Sequence, residues 1–394
     1  MKNSIIIPSA LQLCIDDIGW FNGADERHIG RPSRTGMPRK HVPEDYTVLN
    51  EIGKALDMKI ICPLILGEWD KDNLLRNEVG ATFQPFTWDR ASLIDYKIAE
   101  KSLEVAENSE FIEYAYHGLL HGTYDEKGNQ ITECEFFEYK SPTDKTLVLQ
   151  TEDEILHRME IYYKIYDSWG FKKKIRSFSS PTVIPQYFKA DDLLPLASAL
   201  EKNGIYYWTN RWKSVISYSE FIGNVLYLEK NVRYKNPRIG IPWNAYDFDP
   251  NYIMDFAKSG DDVIGDILST HWPNYLRFNY QKNLESVEPW ARYLKKQSEV
   301  FGLMLSKDIV FCGNQHLYKK FTRATKIKNI VTFDVSEVSK NSKLQLTPEF
   351  YVSFKNGMVP QSITGGSFEL YETHKNFITY KIKHTTNIIQ ITVN

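Results

Sequence analysis

The chain has 394 residues, 42% hydrophobic and 25% charged, and its 48 Lys and Arg against 50 Asp and Glu leave a formal net charge of -2. At about 150 residues per domain this length predicts two or three domains, or one large barrel with an appended module. The balanced charge argues against a nucleic-acid-binding protein, and no stretch approaches the roughly 18 consecutive apolar residues of a membrane-spanning helix.

The amino-terminal segment carries an apolar run that follows a single lysine. Because no small-x-small cleavage site precedes Asp16, we interpret the run as a strand and not as a signal peptide, which favours a cytoplasmic location. The four cysteines are scattered without a CxxC pair, so they indicate reduced, buried thiols and not a cysteine-based metal site; they are Cys14, Cys62, Cys134 and Cys312.

Strand-like apolar runs alternate with segments of helical period up to about residue 323. One helix is predicted to begin at an Asp89 N-cap, and another to open on a Thr151 and Glu154 capping box and end at Gly170. A third places Val287, Trp290, Ala291, Leu294 and Phe301 on one face. The predicted strands are 10–18, 59–66, 110–117, 173–178, 205–208, 263–271 and 308–312.

This alternation predicts a (β/α) barrel over residues 1–323, complete or distorted, with seven or eight parallel strands. A doubly wound open sheet is the alternative, but no glycine-rich dinucleotide loop follows the first strand. From residue 324 the helical period disappears, and strands at 329–335, 351–354, 377–382 and 388–393 alternate with turn signals. The sequence therefore predicts a small all-β, sandwich-like domain over residues 324–394.

Polar residues stand at the ends of several predicted barrel strands. Asp16 and Asp17 end the first, and His271 ends a late one. His117 and His121, four residues apart, follow the third strand, a spacing that allows both imidazoles to bind one metal. Each motif alone is compatible with turn chemistry or ordinary packing. Because the carboxyl ends of barrel strands share one mouth, their coincidence predicts a single site.

The zinc-protease pattern is disfavoured, since Gly118 stands where that mechanism needs a glutamate. The ordered set instead resembles the polysaccharide deacetylase family, the NodB-homology carbohydrate esterases, over about residues 10–323. The resemblance implies that Asp17, His117 and His121 bind a divalent metal, with Zn²⁺ favoured.

The same resemblance implies a catalytic pair and an activity. Asp16 would be the general base that takes a proton from the attacking water, and His271 would protonate the leaving group. Arg176 loosely matches the family's arginine, which orients the base. The implied reaction is the hydrolytic removal of N- or O-acetyl groups from a carbohydrate.

The chain also departs from the family pattern. Gly118 replaces the usual Ser or Thr after the first metal-binding histidine, and the segment 206–212 lacks the aspartate of the Asp/Trp motif. Two alternatives therefore stay open. One is a metal-independent barrel glycosidase that uses paired carboxylates such as Glu68 and Glu113. The other is a carbohydrate-binding relative without activity.

Aromatic residues make up 14% of the chain. Such an excess is typical of a large aromatic core, or of a surface that stacks on sugar rings. Trp20, Trp243 and Trp272 stand beside the candidate site residues or in loops, so they are candidate sugar platforms, although each taken alone is more typical of core packing.

Overall fold

A computed structural model describes residues 4–19, 37, 39–181, 184, 187–210, 220–231, 246–247, 266–355 and 357–394. Within these ranges, seven parallel strands form a closed barrel in which each strand pairs with the next in the chain and the last pairs with the first. This confirms the predicted (β/α) barrel. The strands are β1 Ala10–Asp16, β2 Ile60–Leu64, β3 Ile112–Tyr116, β4 Ser177–Ser179, β5 Tyr207–Asn210, β6 Val225–Asn231 and β7 Ile267–His271.

The register of the closing pair sets two candidate residues side by side, because His271 of β7 lies opposite Asp16 of β1. Every residue of β1, β2 and β7 is buried, as expected for parallel strands covered on both faces. Strands β4 and β5 begin later than predicted, and β6 was not predicted at all. The predicted residues 263–265 lie outside the described ranges.

Helices cover the outside of the barrel. They are α1 Pro43–Leu56, α2 Tyr96–Asn108, α3 Glu152–Trp169, α4 Leu194–Lys202, α5 Val287–Phe301 and α6 Ile309–Phe321. Short 3₁₀ helices occupy Gly67–Trp69, Asp191–Leu193, Trp272–Tyr275 and Tyr280–Ser286. None of the described helices is both long and apolar enough to cross a membrane.

The helix ends test the predicted caps. The Thr151 capping box opens α3, and Gly170 ends it in the left-handed conformation, as predicted. The Asp89 prediction was wrong: Asp95 caps α2, because it directly precedes the first turn and accepts from the Ile98 N–H. The predicted strand 308–312 was also wrong, since Asp308 is the N-cap of α6 and accepts from the Phe311 N–H.

Short strands fill several connections of the barrel. Hairpins join Thr123–Tyr124 to Gln130–Thr132 and Phe137–Tyr139 to Leu147–Leu149. Phe221–Ile222 pairs antiparallel with β6, and Met304–Leu305 pairs parallel with the start of β1.

The carboxyl-terminal part is built mainly from strands, as predicted, and these strands pair antiparallel. One sheet contains Ile5–Ile6, Glu349–Lys355, Phe377–His384 and Gly366–Thr373 in that order, and the other contains Arg323–Ile327, Ile330–Asp334, Ile388–Val393 and Pro360–Thr364. Both sheets contribute to one apolar cluster. The sandwich-like arrangement and the boundary at residue 323 stay predictions. The strands are β8 Arg323–Ile327, β9 Ile330–Asp334, β10 Glu349–Lys355, β11 Pro360–Thr364, β12 Gly366–Thr373, β13 Phe377–His384 and β14 Ile388–Val393, with the short helix α7 Ser336–Asn341 between β9 and β10.

Much of the aromatic excess is used in the core. The largest fully buried side chains are all aromatic, so they cannot stack on a ligand at the surface. They are Trp69, Trp88, Trp208, Trp272, Trp290, Tyr114, Tyr116, Tyr162, Tyr275, Phe136 and Phe137.

His316 of α6 ties the start of β7 to the segment before β6. Its Nδ1 lies 2.7 Å from Asp266 Oδ2, and its Nε2 lies 2.5 Å from Glu220 Oε2. Burial alone would lower the pKa of His316, but the two carboxylates outweigh it and raise that pKa from 6.5 to about 9. This bridge therefore stabilises the fold fully below pH 6.5, and the stabilisation is lost as the pH rises through 9.

We expect His316→Gln to lower the free energy of unfolding at pH 6 by on the order of 3 kcal/mol, and by much less at pH 9.5. Urea unfolding across this pH range measures the difference. The matched control is His157→Gln, because His157 makes its ion pair with Glu78 at the surface. Equal pH slopes for wild type and His316→Gln would contradict the prediction.

Candidate functional site

The polar residues predicted at the strand ends lie together at one mouth of the barrel. Asp16 is the last residue of β1 and His271 the last of β7, while Asp17 and His117 directly follow β1 and β3. These four and His121 are all buried. Inward-facing positions alternate along a barrel strand, so Asp16, His117 and His271 continue the inward rows that contain Cys14, Ala115 and Ile267.

Asp17, His117 and His121 form a compact group of potential metal ligands. The Oδ1 atom of Asp17 lies 3.3 Å from His117 Nε2 and 3.5 Å from His121 Nε2. One ligand atom from each side chain falls within 4.8 Å of the others. His271 approaches from the other carboxylate oxygen, with Nε2 3.8 Å from Asp17 Oδ2.

The hydrogen bonding of His117 tests whether a cation fits this group. Its Nδ1 lies 2.6 Å from the Ser179 carbonyl oxygen, which can only accept, so Nδ1 carries a hydrogen. In the neutral ring, Nε2 therefore presents a lone pair to the Asp17 carboxylate. Two acceptors that face each other need a proton or a metal ion between them. One carboxylate and two imidazoles are also a donor set that Zn²⁺ takes with positions left open, so the residues fit a divalent cation.

The charge state of Asp17 suits that role. Burial alone would raise its pKa, but the hydrogen bond with His117 and the charges of His271 and His121 hold the pKa well below its usual range. The carboxylate is therefore ionised at neutral pH, which metal binding requires.

Two of these side chains stand on left-handed backbone, with φ of 66° at Asp17 and 56° at His121. For residues other than glycine this conformation costs about 1 to 2 kcal/mol each. Neighbouring loops hold it in place: the Ile65 N–H donates to Ile18 O, and the Gly67 N–H donates to Leu119 O at 2.7 Å. Strain of this kind is typical of functional positions that the surrounding structure fixes.

Asp16 lies in a closed network of donors. Its Oδ1 accepts from Lys230 Nζ at 2.7 Å and from Ser179 Oγ at 2.9 Å, and its Oδ2 accepts from Lys230 Nζ at 2.9 Å and from Ser269 Oγ. Burial alone would raise the pKa of Asp16, but Lys230, His117 and His271 outweigh it and lower that pKa to about 2. Cys14 Sγ also donates to Oδ1, at 3.5 Å, so four donor groups surround a carboxylate that offers about four lone-pair directions.

Lys230 is a site residue that sequence reasoning missed. It lies on β6, is buried, and donates to both oxygens of Asp16. The sequence held one signal for it. Lys230 stands two and four residues after Leu228 and Leu226, so on a strand its side chain points to the same face as these two buried leucines, into the barrel interior.

Arg176, the predicted partner of Asp16, is not brought to the site. It precedes β4, so it lies at the amino end of the barrel, opposite the mouth that holds Asp16. Its exposed side chain lines a cavity of about 770 Å³ together with Lys59 and Lys307. Lys230 supplies the cation that we expected from Arg176.

The predicted sugar platforms have different outcomes. Trp272 is fully buried, donates its Nε1–H to Asp45 O and stacks on His41 at 4.1 Å, so it packs the core and offers no face to a sugar. Trp20 and Trp243 lie outside the described residues.

The carboxylate pair of the glycosidase alternative is not assembled. Glu113 lies near the amino end of β3, where it accepts from Gln12 and from the Ile309 N–H. Glu68 follows the opposite, carboxyl end of β2 and lies 3.4 Å from Arg90. The two carboxylates therefore face opposite ends of the barrel and cannot flank one glycosidic bond.

No family profile matches the chain, and no curated protein sequence matches it. Among solved structures, a candidate glycoside hydrolase/deacetylase from Parabacteroides distasonis aligns with 96% of this chain and 85% of its own length, at 11% identity and a TM-score of 0.40. An endogalactoceramidase aligns with 98% of this chain and 96% of its own, at 8% identity and a TM-score of 0.33. Similarity at this level assigns no function.

Proposed function

We propose that this chain is a metal-dependent hydrolase that removes N- or O-acetyl groups from a carbohydrate, in the manner of the polysaccharide deacetylases. The observation that carries the proposal is the convergence of Asp17, His117 and His121, with Asp16 and His271 beside them at one barrel mouth. Asp17, His117 and His121 hold the metal, with Zn²⁺ favoured. When bound, the metal supplies Lewis-acid stabilisation of the charge that develops on the acetyl carbonyl oxygen.

The protein's own residues then divide the proton transfers between them. Asp16, held ionised by Lys230, accepts a proton from the attacking water. To do so it gives up one of its hydroxyl donors, Ser179 or Ser269. His271, on the Oδ2 side of Asp17, donates a proton to the departing amine or alcohol. An amine leaves poorly without such an acid.

Exposed aromatic side chains near the mouth support a carbohydrate substrate. Phe278 and Tyr280 follow β7 and are 56% and 36% exposed. Their segment is tied to the start of α1, because Asn283 donates to Asp45 Oδ1 and Arg39 donates to the Phe278 carbonyl oxygen. The start of α1 lies at the carboxyl end of the barrel strands, so both rings stand on the same side as the site, where Phe278 can stack on a sugar ring. The Arg39 guanidinium lies over the Tyr280 ring, 5.8 Å from its centroid.

Acetate release from N-acetylated and O-acetylated oligosaccharides tests the proposal. We expect release by the metal-loaded protein, loss of activity after chelation, and recovery when Zn²⁺ or another divalent ion is added back. Full activity in excess chelator, with cleavage of a glycosidic bond, would contradict the proposal and favour a glycosidase.

A second candidate is a carbohydrate-binding relative without activity. The observation that favours it is the set of four donor groups that surrounds the Asp16 carboxylate. Sugar binding with no acetate release, across a series of added divalent metals, would support this candidate over the hydrolase.

A further inference from the structure

We propose that Glu135 is a positioning residue that holds the ligand loop, residues 117–121, in its metal-binding conformation. The inference rests on the metal-dependent function proposed above and concerns a residue that is not itself among the ligands. Glu135 lies between the short strands Gln130–Thr132 and Phe137–Tyr139, and its side chain is fully buried.

Glu135 accepts hydrogen bonds from the backbone of the ligand loop. Glu135 Oε2 accepts from the Leu119 N–H at 2.7 Å and from the Leu120 N–H at 3.2 Å. These two residues connect His117 to His121, so one carboxylate oxygen fixes the backbone between the two histidine ligands. Without it, two buried N–H groups would lose their acceptor, which costs about 1 to 3 kcal/mol for each group left unsatisfied.

The loop carbonyls are fixed from other directions, which isolates the contribution of Glu135. The Leu66 and Gly67 N–H groups donate to the carbonyl oxygens of Gly118 and Leu119, at 3.3 and 2.7 Å. Tyr124 and Gln130 donate to the two carbonyls that follow, at 2.9 and 3.1 Å. Glu135 therefore accepts from the N–H groups of a loop whose carbonyl groups already pair with other donors.

Gly118 and Glu135 fit each other. A Cβ atom at position 118 would lie 2.5 Å from Glu135 Cδ and Oε2 and 2.9 Å from Oε1, closer than real Cβ contacts allow. The φ of Gly118 is 101°, which also favours glycine. Because Gly118 has no side chain, the Glu135 carboxylate can occupy the space beside its Cα atom.

The second carboxylate oxygen of Glu135, Oε1, accepts no hydrogen bond from the described residues, and the side chain is fully buried. Burial raises the pKa of Glu135, whereas the Arg158 charge and the N–H groups of Leu119 and Leu120 lower it, so the loop helps to keep the carboxylate ionised.

Zn²⁺ affinity of the chelator-stripped protein, measured in competition with a chromophoric chelator, tests the proposal. We expect Glu135→Ala to weaken Zn²⁺ binding by about 10- to 100-fold, the usual effect of losing a residue that orients a metal ligand. Glu135→Gln keeps an acceptor of the same reach and should stay within about threefold to tenfold of wild type. Glu135→Asp withdraws the carboxylate by about 1.5 Å and should bind Zn²⁺ more weakly than Glu135→Gln.

Asp70→Ala is the matched control. Asp70 is also fully buried and also accepts from two successive backbone N–H groups, those of Leu74 and Leu75, both at 2.8 Å. The Asp70→Ala variant should lose stability but keep wild-type Zn²⁺ affinity. If the role of Glu135 were purely structural, Glu135→Ala would also lose stability and keep wild-type Zn²⁺ affinity. If Glu135→Ala does not fold, the comparison of Glu135→Gln with Glu135→Asp decides.

The possible failures are distinguishable. Wild-type affinity in Glu135→Ala, or tighter binding by Glu135→Asp than by Glu135→Gln, overturns the role of Glu135 and leaves the proposed function standing. Zn²⁺ binding without acetate release in wild type would contradict the proposed function. The Zn²⁺ affinities of the Glu135 variants would still test the role of Glu135. No Zn²⁺ binding by wild type overturns both.

Discussion

Replacing His117 with alanine should abolish stable binding of a divalent metal and reduce acetate release by about 10³-fold or more. His117 Nε2 is the ring nitrogen nearest to Asp17 Oδ1, and the Ser179 carbonyl fixes its tautomer. Its loss leaves one carboxylate and one imidazole, which is too few ligands for a stable site. Elemental analysis of the purified protein and an acetate assay measure the two effects.

Two further variants sharpen this result. Asp17→Asn keeps the shape of the side chain but removes its charge, so it should also lose the metal. His157→Ala removes an exposed histidine that pairs with Glu78 at the surface, so it should keep both metal and activity. Wild-type metal content in His117→Ala would refute the assignment of the metal ligands, whatever happens to the activity.

The barrel was predictable because its strands are short apolar runs that end in polar residues. The failures have local causes. Residues 309–312 form a four-residue apolar run that fits a strand and the first turn of a helix equally well. The structure forms the helix, in which Ile309 and Cys312 are buried on one face. Strand β6 was not predicted because its apolar run, which follows the turn at Gly223, is short. The strand then continues through Glu229 and Lys230, and charged residues usually indicate an exposed segment.

Some site residues could be predicted from the sequence, and others could not. Asp16, Asp17, His117 and His271 stand at strand ends, where barrels place working groups, so chain order alone brought them together. Lys230 contacts Asp16 across 214 residues of sequence, and only the order and register of the strands reveal that contact. Arg176 was misjudged by strand register, since the strand begins after it and points Ser179 into the site instead.

Lys230→Met should lower the free energy of unfolding by about 3 to 5 kcal/mol, because it leaves the Asp16 carboxylate buried without its cation. Acetate release should fall by about 10²- to 10⁴-fold, the contribution expected of a proton acceptor that has lost its correct charge state and position. Urea denaturation and the acetate assay give the two values separately. Lys320→Met is the control, since Lys320 Nζ also lies 2.7 Å from a carboxylate, that of Glu220, but its side chain is 54% exposed. A surface pair of this kind contributes about 1 kcal/mol or less.

The double variant Asp16→Asn with Lys230→Met separates folding from catalysis. It removes both buried charges, and neutral replacement of a buried pair is often close to neutral for stability, so the free energy of unfolding should return to within about 1 to 2 kcal/mol of wild type. Activity should not return, because asparagine cannot take a proton from the attacking water. This combination, restored stability with absent acetate release, is the result expected of a catalytic base held by a buried cation. A double variant with full activity would show that neither residue takes part in the reaction, and a Lys230→Met protein as stable as Lys320→Met would show that Asp16 does not depend on Lys230.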